Sequence, residues 1–66
     1  MKMEEARQRI ESAITQYGQL AAPAIELVIN EVRSDQGARA VNDLIEEFDL
    51  ELLYNIAPHD SDYSNF

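Results

Sequence analysis

Hydrophobic positions recur along this chain with helical spacing from residue 3 to residue 56. Between residues 23 and 33, Ile25, Val28, Ile29 and Val32 stand at i, i+3, i+4 and i+7, one stripe on a helix of 3.6 residues per turn. Leu27, with Leu20 and Ala24, adds a second apolar row, which leaves Glu26, Asn30, Glu31 and Arg33 for water. A helix that is apolar on two sides is a central helix with neighbours on both.

Residues 3–17 carry a narrower stripe. Met3, Ile10 and Tyr17 repeat every seven residues, Ala6 and Ala13 fill the positions between, and Ile14 widens the face. The small alanines let a partner helix come close. Gly18 is the natural end of this helix, because glycine adopts a left-handed conformation without a Cβ clash. Pro23 has no amide hydrogen and is tolerated only in a first turn, so a second helix starts within residues 20–23 and is expected over 21–34. Ser34-Asp35-Gln36-Gly37 reads as a turn, with Ser34 or Asp35 free to cap the next helix.

From Ala38 the pattern resumes. Val41, Leu44, Ile45, Phe48, Leu52 and Ile56 keep to one face until Pro58 stops it, which predicts a third helix over 37–57. The alternative is a break at Asp49, whose side chain would cap a short fourth helix from Leu50 to Ala57. If the helix is continuous, Leu50, Leu53, Tyr54 and Ala57 form a second stripe on its far side. Residues 58–66 have no helical period and too little aliphatic content to fold alone, so they read as a flexible acidic-aromatic tail on a helical domain of residues 1–57.

The expected fold is therefore all-α: a small antiparallel three-helix bundle, since short connections make consecutive helices antiparallel neighbours. Its large apolar side chains exceed what three short helices can enclose. A chain of 66 residues is also short of core, and one without cysteine has no disulfide to help it. Both considerations point to a symmetric homodimer, with Leu50, Leu53, Tyr54 and Ala57 as its interface.

Charge changes the picture most. The chain carries 13 acidic and 5 basic residues, a net charge of −8. Residues 1–39 hold all five bases and are nearly balanced at −1, whereas residues 40–66 hold seven acids and no Lys or Arg, a net of −7. A surface of that sign repels nucleic acid and anionic membrane and attracts basic proteins. A helix-turn-helix over residues 30–48 fails for the same reason, since Arg39 stands against Asp43, Glu46 and Glu47.

Asp43, Glu46 and Glu47 sit at i, i+3 and i+4, Glu51 is one turn further, and Leu50 and Tyr54 lie among them. Carboxylates spaced along a rigid helix can imitate a nucleic-acid phosphate array or pair with Lys and Arg on a basic protein partner. Leu50 and Tyr54 would be the apolar anchors of such a contact, because exposed ion pairs contribute little alone. The plainer alternative is a solvated face, with the leucines covered by the second copy. Asp60, Asp62, Tyr63 and Phe66 in the tail combine negative charge with a final aromatic ring. In form these residues resemble the acidic, phenylalanine-terminated tails of single-stranded-DNA-binding proteins, which implies docking on basic, apolar pockets of partner enzymes. That resemblance covers about nine residues; a tail without a role, or one folded over the bundle, is the alternative.

Chemistry finds no foothold. There is no Gly-rich phosphate loop and no nucleophile elbow, and His59-Asp60-Ser61 are neighbours in a tail that cannot hold a triad's geometry. Asp60, Asp62 and Ser64 begin like a calcium loop, but the turn glycine and the closing glutamate are missing. No catalytic residue, cofactor or metal site is expected. No apolar run approaches the roughly 20 residues of a membrane span, and residues 1–5 do not form a secretory signal. The expectation is a cytoplasmic protein-binding regulator or inhibitor, of the phage-inhibitor or nucleic-acid-mimic kind. The second reading is a structural adaptor or assembly factor acting through apolar helix packing.

Overall fold

A computed structural model describes residues 1–58. Among them the chain is all-helical, with no strand: α1 is Met3–Tyr17, a single 3₁₀ turn follows at Gly18–Leu20, α2 is Ala22–Gln36, α3 is Ala38–Glu47 and α4 is Leu50–Tyr54. Helix α1 packs on α2, α2 on α3, and α3 on α4.

The first helix has the expected bounds. Its buried stripe is Ala6, Ile10 and Ala13, with Met3 and Ile14 partly covered. Gly18, at φ +56°, ends it while its amide donates to the Ile14 carbonyl. Ala21, fully buried, then serves as the first anchor of α2, and Ile25 donates to its carbonyl at 2.9 Å. Pro23 falls in the first turn, where a missing amide hydrogen costs nothing. Ile25, Val28, Ile29 and Val32 are the buried face of α2, and they hold it between α1 and α3.

The connection between α2 and α3 is tighter than the sequence suggests. Ser34, Asp35 and Gln36 continue α2 as its last turn, and Gln36 donates from its side chain to the Met1 carbonyl at 2.8 Å. Gly37 alone reverses the chain: at φ +96° it adopts a backbone that L side chains rarely reach, and its amide donates to the Arg33 carbonyl at 3.0 Å. Neither Ser34 nor Asp35 caps α3, which starts from Gly37 without a side-chain cap.

The helix expected over 37–57 is two helices. The Phe48 amide still donates to Leu44 at 3.1 Å, but Asp49 turns left-handed, with φ +54° and ψ +42°. The break falls at the anticipated residue by a different device: the Asp49 side chain makes no capping bond, and the backbone itself changes hand. Aspartate is one of the few non-glycine residues that tolerates this region. A second left-handed residue, Asn55 at φ +59°, ends α4 well before Pro58.

The change of hand resets which side chains face inward. Leu50, expected on the outward stripe, is fully buried in the common core, whereas Leu52, expected inside with Val41, Leu44 and Ile45, is 82% exposed. Ile56 stays buried, because the chain beyond Asn55 returns its amide to the Leu50 carbonyl at 3.2 Å. Among the described residues, no helix is long and apolar enough to cross a membrane.

This arrangement makes a sharp contrast between two leucines. Leu50→Ala should lower unfolding free energy by about 2–4 kcal/mol through transfer and cavity terms, and Leu52→Ala should stay within about 0.5 kcal/mol. Urea titrations followed by circular dichroism measure both; a larger loss at Leu52 would restore the continuous helix.

Candidate interaction surface

The acidic residues of α3 and α4 divide between two sides of the molecule. Asp43 and Glu46 from α3, Asp49 from the break and Glu51 from α4 line one open groove of about 690 Å³, with Ile45, Leu52 and Pro58 as its apolar lining. The break builds this groove. A straight helix would point Leu52 into the core, but the left-handed Asp49 swings α4 so that Leu52 stands beside the carboxylates.

None of the four groove carboxylates is paired with a base among the described residues. Three of the five bases have partners away from the groove: Arg7 with Glu47, Arg9 with Glu5 at 3.1 Å within α1, and Arg33 with the Asn30 side-chain oxygen at 2.9 Å. The charged residues that line the groove are all acidic, beside an apolar strip of Ile45, Leu52 and Pro58. Among the described residues, no group of three or more acidic or imidazole side chains is placed to hold a metal ion. Carboxylates spread along a groove instead suit an extended array of cations.

Glu47 does not belong to this set. It turns toward α1, where the Arg7 Nε donates to its Oε1 at 2.9 Å, and both side chains are close to half-exposed. Its spacing placed it with Asp43 and Glu46, but one residue of a helix is 100° of rotation, enough to send it to the other flank.

The stripe of Leu50, Leu53, Tyr54 and Ala57 is not a continuous outer face. Leu50 is inside, and Tyr54 is half-buried with its hydroxyl donating to the Gly18 carbonyl at 2.9 Å. That bond joins the end of α4 to the 3₁₀ turn. Leu53, 62% exposed, and Ala57 remain on the surface. Leu50 is thus removed as a partner anchor and as a dimer contact, since its side chain is already used by the chain's own core. Asp60, Asp62, Tyr63 and Phe66 lie outside the described residues.

Asp49 and Leu52 are among the groove residues that helical spacing missed. Their signal was the Asp49 break itself, because any interruption there changes the facing of every residue after it.

No family model, curated protein or solved structure matches this chain.

The Arg7 and Glu47 pair is expected to be a modest surface contact. A double-mutant cycle with Arg7→Ala and Glu47→Ala should give a coupling of about 0.2–1 kcal/mol that shrinks as salt is raised. Zero coupling at low salt would return Glu47 to the unpaired carboxylates.

Proposed function

We propose that this chain is a small acidic protein-binding regulator whose α3–α4 groove seats a basic segment of a partner protein. The observation that carries the reading is the groove: Asp43, Glu46, Asp49 and Glu51, none paired with a base among the described residues, surround Ile45 and Leu52. Cations alone would gain little there, since an exposed ion pair is worth about 0.2–1 kcal/mol. An apolar side chain laid on Leu52 supplies the desolvated centre that such a contact needs, and the carboxylates supply orientation and fast encounter.

The partner surface is of the kind that otherwise holds nucleic acid, because spaced Lys and Arg with an apolar gap match both a phosphate array and this groove. Occupying it would inhibit or regulate that partner. In this reading the protein acts by binding and performs no reaction, and its helices form an antiparallel bundle that serves as a rigid mount. It works in the cytoplasm, where a chain without cysteine loses nothing by the absence of disulfides. Exposed Tyr17, Leu20 and Leu27 favour a second reading, an assembly adaptor that binds through apolar packing, for which salt should matter little.

Calorimetric titration of a synthetic Lys/Arg-rich helical peptide carrying one leucine separates the two. Affinity should fall roughly tenfold or more between low and high salt, fall again with Glu46→Lys plus Glu51→Lys, and weaken several-fold with Leu52→Ala. Binding indifferent to salt and to the charge reversals would refute the proposal.

A further inference from the structure

A second groove, of about 510 Å³, runs between α1 and α2 and differs in every respect from the acidic one. Its floor is alanine, Ala13 from α1 and Ala24 from α2, and two large apolar side chains stand beside that floor: Tyr17, 50% exposed, and Leu27, 66% exposed. Its charges are of both signs: Arg9, which donates to Glu5 at 3.1 Å, lines it together with Glu5 and Glu31.

A two-fold contact between identical chains requires a patch that is its own complement. The α3–α4 groove is not, because two copies would bring like charges together without a base to relieve them. The α1–α2 groove is. It holds a projecting Leu27 and an alanine-floored hollow on the same patch, and its Arg9, bonded to Glu5 within α1, is a base that a two-fold axis can also bring to Glu31 of the other copy. The charge distribution agrees: residues 1–39 carry a net of only −1, whereas residues 40–66 carry −7, so a dimer joined through α1 and α2 keeps the strongly charged halves on the outside.

We propose that a second copy of this chain occupies the α1–α2 groove, with Leu27 of each copy seated over Ala13 and Ala24 of the other and Arg9 facing Glu31 across the axis. The contact moves self-association away from α4 and leaves the acidic groove of both copies open.

Sedimentation of the full chain over a wide concentration range tests it. The mass should reach twice the 7.5 kDa of one chain. Leu27→Glu should raise the dissociation constant by roughly tenfold or more with helical circular dichroism unchanged, since Leu27 is outside the core. Leu53→Glu should leave the dimer intact. Arg9→Glu should weaken association, and combining it with Glu31→Arg should restore it. A wild-type mass of one chain at every concentration would overturn the proposal, as would a dimer that survives Leu27→Glu or one that dissociates with Leu53→Glu. A single-chain protein that instead acquires mass only with an added basic peptide would assign the groove to a different occupant and likewise overturn it.

Discussion

One backbone conformation governs the second half of this molecule: the left-handed Asp49. A run of regular helix from residue 38 onward would carry Val41, Leu44, Ile45 and Leu52 on a single face and leave Leu50 in water. With Asp49 at positive φ the chain bends after α3, α4 folds back, and Leu50 becomes one of the largest fully buried side chains of the core. Placing a non-glycine residue in that region costs on the order of 1–2 kcal/mol. Burial of a leucine side chain offers about 1.5–3 kcal/mol, so the exchange is favourable or close to neutral for Leu50 alone. The hydrogen bond from Tyr54 to the Gly18 carbonyl and the burial of Ile56 then add to the folded side.

The same bend makes the surface. It brings Asp43 and Glu46 of α3 into one groove with Glu51 of α4 and releases Leu52 to its edge, while Glu47 is drawn to Arg7 on the opposite flank. Core packing and surface chemistry are coupled through one residue: the geometry that hides Leu50 is the geometry that exposes Leu52 among carboxylates. Asp49 contributes to both, since its backbone makes the turn and its own side chain lines the groove.

Away from that bend, the molecule is electrically quiet. Residues 1–39 hold all five bases at a net charge of −1, and the salt bridge within α1 and the mixed-sign α1–α2 groove leave little net field there. Two surfaces of one small chain thus differ in what they can attract. The nearly neutral, alanine-floored side suits close helix packing, where dispersion and apolar burial dominate. The acidic side suits a partner of opposite charge, for which long-range steering is strong and contact energy is supplied by a few apolar atoms.

The amino-acid sequence by itself determined the helical class, the full extent of α1 and the buried stripe of α2, because these rest on spacing within a single helix and on glycine and proline chemistry that acts locally. It also determined where charge of each sign resides. What only tertiary structure decided was that the chain does break at Asp49, the exchange of Leu50 and Leu52 between core and surface that follows, and the lengthening of α2 to Gln36. Periodicity assigns faces only while the helix continues, and an aspartate can either carry a helix on or turn it. The choice between those outcomes depends on whether Leu50 finds room in the common core, a long-range packing question that no window of neighbouring residues contains.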